Sequence, residues 1–149
     1  MAILNGCEIP DELSYYLEGS QMTWIRIEGE NATVGLADPA QTRAGRILHV
    51  RIKAVGTSRE KGKPVATIES GKWAGPVHFP LSGTITRVNE QLELRPVLIN
   101  DDPYGEGWIA QIKISNQAEV PLLLRGEQAK ARFNEIIARD NVKCIRCQK

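Results

Sequence analysis

The 149-residue sequence lacks the features of several protein classes. No apolar run approaches the ~20 residues of a membrane-spanning helix. The first ten residues, M-A-I-L-N-G-C-E-I-P, have neither a charged leader nor a long apolar core, so we predict no signal peptide. The 19 basic and 18 acidic residues are interleaved without a basic face. We therefore expect a protein that binds neither membranes nor nucleic acid.

Cysteine and histidine are also scarce. Cys7, Cys144 and Cys147 are odd in number and form no repeating framework, which favours a reducing cytoplasm over a disulfide-stapled secreted fold. A structural zinc site needs four ligands. His49 and His78 lie in predicted strands, so we predict no metal site. No nucleotide-binding loop or nucleophile–base set stands at a usable spacing, which indicates a protein that is not an enzyme.

Most of the chain is predicted to be β-structure. Short alternating segments separated by turn signals indicate an all-β barrel or sandwich, with strands near residues 23–28, 33–36, 47–52, 84–88 and 108–114. Helices are predicted only at the periphery, near residues 10–17, 38–45 and 127–138. In the second of these, Asp38 is a candidate cap, and Pro39 and Gly45 suit the entry and exit of a helix.

A hairpin is predicted over residues 65–83, V-A-T-I-E-S-G-K-W-A-G-P-V-H-F-P-L-S-G, with Lys72 at its tip. Taken alone, Lys72 would be an ordinary solvated turn lysine. Its flanking blocks change that interpretation. They read A-T-V-G-L-A-D-P-A-Q, V-G-T-S-R-E-K-G, I-E-S-G-K, L-S-G-T-I-T-R-V-N-E and N-D-D-P-Y-G-E-G-W.

Together these blocks resemble the H protein of the glycine cleavage system, a lipoyl carrier. The resemblance covers about two-thirds of the chain and implies a mainly β, hybrid barrel-sandwich fold with short peripheral helices, including a C-terminal one. It implies covalent lipoate on Lys72, with Glu69, Ser70 and Gly71 as the flanking recognition residues. We expect one domain over residues 1–139, with a barrel over about 22–116, a helical part over about 117–139 and a loose tail over 140–149.

Several positions depart from the glycine-cleavage pattern. Met22-Thr23 precede Trp24 where the family has His-Glu, Gly19-Ser20-Gln21 look inserted, Pro39 replaces a tyrosine, and Trp73-Ala74-Gly75-Pro76 follow Lys72. These departures resemble the lipoate-binding proteins of the heterodisulfide-reductase-like pathway of sulfur oxidation. The resulting prediction is a cytoplasmic, monomeric carrier whose arm moves sulfur or reducing equivalents.

The predicted partners are a lipoate ligase or other lipoylation machinery and a heterodisulfide-reductase-like complex, with a dihydrolipoamide dehydrogenase as a further candidate. One alternative is a glycine cleavage H protein that carries an aminomethyl group. Another is an unmodified scaffold that only binds partners. A biotin carrier fits less well, because Gly71-Lys72-Trp73 does not resemble Met-Lys-Met.

The C-terminal sequence V-K-C-I-R-C-Q-K contains a C-x-x-C pair. Cys144 and Cys147 are a candidate redox or sulfur-accepting pair, because Lys143 and Arg146 would favour thiolate. The competing interpretation is a disordered tail with incidental cysteines. Cys7 has no partner that the sequence suggests.

Overall fold

Three antiparallel sheets make up most of the protein in the computed structural model, which describes residues 1–145. The strands are β1 Ala2–Leu4, β2 Cys7–Ile9, β3 Ser14–Tyr16, β4 Thr23–Glu28, β5 Asn31–Leu36, β6 Ile47–Ile52, β7 Ser58–Arg59, β8 Pro64–Ser70, β9 Ala74–His78, β10 Gly83–Val88 and β11 Ala110–Ile114. The helices are α1 Asp38–Ala44, α2 Gln91–Leu94, α3 Leu98–Asp101 and α4 Gly126–Asp140, with a 3-10 helix at Gln117–Leu122.

The strands are ordered β3-β4-β5-β11-β10-β7 in the largest sheet, β6-β8-β9 in the second and β1-β2 in the third. Neighbours in the chain usually pair, as β8 with β9, because short turns join antiparallel strands. The predicted mainly β, sandwich-like fold with short helices is confirmed. None of the helices within residues 1–145 is long and apolar enough to span a bilayer.

A single cluster of buried side chains joins the two larger sheets. It includes Trp24 and Ile112 from the six-stranded sheet and Val65 and Ile68 from the three-stranded one. In β8, Thr67 and Glu69 are exposed on either side of the buried Ile68, which is the alternation expected of a strand with one face in the core. The core therefore fixes which side chains of β8 point outward.

The block N-D-D-P-Y-G-E-G-W begins in the last two residues of α3 and continues as the loop that leads to β11. The Trp24 indole nitrogen donates a 2.8 Å hydrogen bond to the Pro103 carbonyl. The same ring lies so close to Gly35 that a Cβ there would stand 2.6 Å from it. The Tyr104 hydroxyl accepts a 2.9 Å hydrogen bond from the Asp38 amide. These contacts join the loop to the largest sheet and to the start of α1.

Helix α1 forms where the sequence predicts it, but its first residue, Asp38, does not have the predicted capping role. Its buried carboxylate instead accepts hydrogen bonds from the Glu8 amide at 2.9 Å and from the Gln41 side chain at 2.7 Å. Gly45 ends the helix with φ +82°, a conformation that favours glycine. Asp38 therefore ties α1 to the N-terminal hairpin.

Two sequence predictions at the chain ends are wrong. The predicted early helix is strand β3, because Tyr15 pairs with Trp24 in β4 and exchanges backbone hydrogen bonds with Leu124. The tail is not loose from Asp140 onward in its described part. Val142 and Cys144 are buried, and the Cys144 amide donates a 3.1 Å hydrogen bond to the Asn5 carbonyl.

Cys144 forms a disulfide with Cys7, 137 positions earlier in the chain. The sequence suggested no partner for Cys7, and the structure provides Cys144 as that partner. The reason is tertiary: the β1-β2 hairpin places Cys7 beside α1, and the segment after α4 returns to the same place. An odd cysteine count did not exclude one bridge.

Candidate functional site

The β8-β9 hairpin presents Lys72 at its tip. Glu69 pairs with Ala74, and the Ser70 amide donates a 2.7 Å hydrogen bond to the Trp73 carbonyl, which closes the turn around Gly71 and Lys72. The two residues between are exposed. The amine of Lys72 is therefore available to another protein while its backbone is held by the two strands.

Ser70 fastens this tip to the end of α1. It is buried, and its hydroxyl donates a 2.6 Å hydrogen bond to the Ala44 carbonyl. The same oxygen accepts hydrogen bonds from the Trp73 amide at 3.0 Å and the Lys72 amide at 3.3 Å. One hydroxyl thus holds both the turn and the helix end, so Ser70 positions Lys72 without needing to touch its amine.

The Lys72 side chain lies over Gly45. A Cβ at position 45 would stand 2.9 Å from Lys72 Cε and 3.7 Å from Nζ. The positive φ of Gly45 and this close approach both favour glycine at the helix exit. Sequence reasoning assigned Gly45 only the first of these roles, because the second requires the hairpin and α1 to meet.

Asn100 makes the helix exit rigid. Its side-chain amide donates to the Gly45 carbonyl at 2.8 Å and to Gln41 Oε1 at 3.0 Å, and its Oδ1 accepts from the Ile47 amide at 2.8 Å. The side chain therefore joins α1 to β6. Asn100 begins one of the blocks that carried the family resemblance, but its role was missed because no local pattern reveals these partners.

On one side of the tip lies a cleft of about 220 Å³ whose wall includes Trp73. The indole lies over Gly75, where a Cβ would be 2.6 Å from the ring, and 39% of Trp73 is exposed. Among the lining residues within the described range 1–145, Arg43 is the sole charged side chain, and it forms an ion pair with Asp140 at 2.9 Å. The lining residues are Ser20, Gln21, Met22, Leu36, Ala40, Arg43, Ala44, Trp73 and Pro76.

The segment that looked inserted in the sequence forms part of this cleft. The Gln21 side chain donates a 3.0 Å hydrogen bond to the Pro76 carbonyl and accepts one of 3.0 Å from the His78 amide. The His78 ring lies 3.3 Å from the Tyr16 hydroxyl. Burial lowers the pKa of His78, and nearby Glu18 opposes that shift. The segment is thus fixed to β9 rather than free.

The remaining predicted site residues are Glu69, Cys144 and Cys147. Glu69 is exposed on the outer face of β8, where Oε1 lies 3.9 Å from His49 Nε2. Cys144 was predicted to form a redox or sulfur-accepting pair with Cys147, but in the structure it is bonded to Cys7 and is not a free thiol. Cys147 itself lies outside the described residues.

Comparison with known proteins gives one consistent family. The sequence model described as "Glycine cleavage H-protein" matches residues 14–136. A Sulfolobus acidocaldarius protein named "Probable glycine cleavage system H protein 2" is 52% identical, over 99% of this chain and 100% of that protein. The "Glycine cleavage system H protein 2" of Aquifex aeolicus is 46% identical, over 93% of this chain and 86% of that protein.

The fold agrees with this result. The crystal structure of a glycine cleavage system H protein from Mycobacterium marinum superposes with a TM-score of 0.69, at 25% identity, over 90% of this chain and 100% of that one. Proteins of this family are lipoyl carriers rather than enzymes, and they carry lipoate covalently on a lysine. Matched along most of its length in both sequence and fold, this chain belongs to the glycine cleavage H-protein family.

Proposed function

We propose that the protein is a lipoyl carrier whose lipoate is attached to Lys72. The observation that carries the proposal is an exposed lysine at a β-bend, whose backbone is held by Ser70 against the end of α1. An acylating enzyme needs an accessible amine at a defined position, and this tip supplies both. Glu69, Ser70 and Gly71 would form the surrounding surface that lipoylation machinery recognises.

Attachment at this point would suit a carrier. Amide formation removes the charge of the Lys72 amine, and lysine plus lipoate spans about 12–15 Å, comparable to about four extended residues. The five-membered dithiolane cannot adopt the ~90° torsion that a disulfide prefers, so it opens readily by thiol exchange. The chain supplies a fixed base, and partner enzymes would supply the catalysis.

The names of the relatives favour an aminomethyl group as cargo. The Sulfolobus and Aquifex proteins are both named as glycine cleavage system H proteins. We therefore place the glycine-cleavage function first, ahead of the sulfur-oxidation function that the departures in sequence favoured. The partners would then be lipoylation enzymes and the glycine cleavage enzymes. Cytoplasmic location and a monomeric state stay predictions.

One observation keeps sulfur or reducing equivalents as a second candidate cargo. The aminomethyl-loaded arm ends in an amine that is protonated near neutral pH, and burying a charge is costly unless it is paired. In the part of the chain that the structure describes, no carboxylate lines the cleft beside Trp73, and Arg43 does. A neutral dithiolane would suit such a lining better than a cationic amine.

Two measurements test these proposals in order. Intact mass and peptide mapping, after expression in a lipoylation-competent host, should find one lipoyl increment on Lys72. An unmodified chain would contradict the carrier function and favour a scaffold that only binds partners. The lipoylated chain is then offered glycine and the glycine decarboxylase component. Rapid aminomethyl loading supports the first cargo. No loading, with persulfide formation when the reduced dihydrolipoyl arm is given a sulfane-sulfur donor, supports the second.

A further inference from the structure

A second groove, lined by α1 residues other than those that line the Trp73 cleft, lies beside the end of α1. We call it the α1 groove; it has a volume of about 500 Å³ and is lined by Gln41, Thr42, Gly45, Arg46, Val97, Asn100, Asp101, Lys143 and Ile145. Gly45, the residue over which Lys72 lies, is part of its lining. The outer end of the lysine side chain, to which the lipoyl group would be attached, therefore stands at the edge of this groove.

The Cys7–Cys144 disulfide is buried behind the wall of the same groove. Lys143 and Ile145, which flank Cys144 in sequence, line the groove, and the Thr42 hydroxyl donates a 3.1 Å hydrogen bond to Cys144 Sγ. Thr42 and Gly45 are less than one helical turn apart, about 5 Å along the axis. A lipoyl arm of about 12–15 Å on Lys72 would span that distance.

We propose that the Cys7–Cys144 disulfide is a second redox centre, which exchanges electrons with the lipoyl arm of the same chain through the α1 groove. The inference rests on lipoate being attached to Lys72. It goes beyond a carrier function, because the protein would hold two electron pairs, one on the arm and one on its own cysteines.

The exchange needs no reactant beyond the reduced arm. One thiolate of the dihydrolipoyl group attacks Cys144 Sγ, which breaks the Cys7–Cys144 bond and releases Cys7 as thiolate. The second dihydrolipoyl thiolate then attacks the mixed disulfide, closes the dithiolane and releases Cys144. The arm is oxidised by two electrons, the cysteine pair is reduced by two, and the two protons pass from the arm thiols to the cysteines.

Access to the sulfurs requires the segment after α4 to open. Both cysteines are fully buried. The segment is held by the Cys144 amide on the Asn5 carbonyl at 3.1 Å and by the Asn5 side-chain amide on the Val142 carbonyl at 2.6 Å. Beyond Cys144, Ile145 is 64% exposed. A segment outside regular secondary structure that is held by few hydrogen bonds opens locally at much lower cost than the core, so the arm can reach Cys144 without global unfolding.

The test counts the electrons that the protein accepts. Lipoylated Cys147→Ser protein, in which Cys7 and Cys144 are the remaining cysteines, is incubated without oxygen with NADH and catalytic dihydrolipoamide dehydrogenase. We expect two equivalents of NADH to be consumed per chain, and alkylation followed by mass spectrometry to find thiols on Cys7 and Cys144. One equivalent, with the cysteines still bonded, would overturn the exchange while leaving the lipoyl carrier function intact. No consumption would contradict the carrier function itself.

Two controls separate exchange within a chain from other routes. The Lys72→Arg protein, which has no arm, should keep its disulfide under the same conditions, since the dehydrogenase has no access to it. Mixing that protein with a lipoylated Cys7→Ala/Cys144→Ala chain tests transfer between molecules. We expect the disulfide in this mixture to be reduced at least ten times more slowly than in the lipoylated chain. Equal rates would contradict transfer within one chain.

Discussion

The Ser70 hydroxyl lies 2.6 Å from the Ala44 carbonyl oxygen, joining the tip of the β8-β9 hairpin to the last residue of α1. The two residues are 26 positions apart, so this bond is tertiary. It places Lys72 above Gly45, between the Trp73 cleft and the α1 groove. The position of the proposed lipoyl arm therefore depends on a side chain two residues before its lysine.

Ser70→Ala should loosen the tip. The change leaves the buried Ala44 carbonyl and the Trp73 amide without this partner, which should lower the free energy of unfolding by about 1–3 kcal/mol. We also expect slower lipoylation of Lys72, measured by timed intact mass with a lipoate ligase. Thr67→Ala, on an exposed position of the same strand, is the matched control and should change neither quantity. Unaltered stability in Ser70→Ala would show that the bond does not hold the tip.

Lys72→Arg should fold normally and carry no lipoate. Lys72 is exposed, so the change removes no core contact, and the guanidinium is not acylated by lipoylation machinery. Thermal unfolding and intact mass check the two parts of the prediction. Lys53→Arg replaces another exposed lysine and should retain the full lipoyl increment. A lipoyl increment on the Lys72→Arg protein would move the attachment site elsewhere.

Gly83→Ala should destabilise the largest sheet. A Cβ at position 83 would stand 2.3 Å from the Lys113 carbonyl oxygen of the paired strand β11, and backbone atoms cannot move away cheaply. We expect a loss of about 1–3 kcal/mol in urea unfolding, as for other overpacked sites. Gly71→Ala, whose Cβ would meet nothing within 4 Å, is the control. Equal midpoints for the two variants would contradict the close packing at Gly83.

Breaking the Cys7–Cys144 disulfide should lower thermal stability. It closes a loop of nearly the whole chain, and removing a native disulfide typically costs about 2–5 kcal/mol. For a chain of this size we expect the melting temperature to fall by about 5–15 °C. Cys7→Ser/Cys144→Ser compared with Cys147→Ser provides the test, because the latter leaves the bridge in place. A melting temperature equal to that of Cys147→Ser would mean that the bridge does not form.

Stability should fall in mild acid because of His78. Burial lowers the pKa of His78 below its ordinary value of 6.5, so the unfolded chain binds the proton more readily than the folded one. The free energy of unfolding is thus greatest above about pH 6.5 and decreases as pH falls below it. Urea unfolding from pH 5 to 8 should show a weaker decrease for His78→Gln than for the exposed-site control His49→Gln. Parallel pH profiles would contradict this assignment.

Much of the proposed site could be predicted from local sequence. The hairpin around Lys72 follows from alternating residues on both sides of a Gly-containing turn, which is information held within twenty residues. Helices α1 and α4 were predicted from the same kind of short-range pattern. The family resemblance was carried by blocks such as D-P-Y-G-E-G-W, whose contacts with Trp24 and Asp38 explain why those residue types occur together.

The sequence by itself determined the mainly β architecture and the hairpin that presents Lys72, because strand alternation and turn chemistry act between near neighbours. Three contacts were decided only by the tertiary structure. They are the Cys7–Cys144 disulfide, the hydrogen bond from Gln21 to the Pro76 carbonyl beside the cleft, and the hydrogen bond from Asn100 to the Gly45 carbonyl. Each of those contacts joins residues more than fifty positions apart. Such pairings depend on how the sheets and helices pack, and short-range patterns carry no information about that.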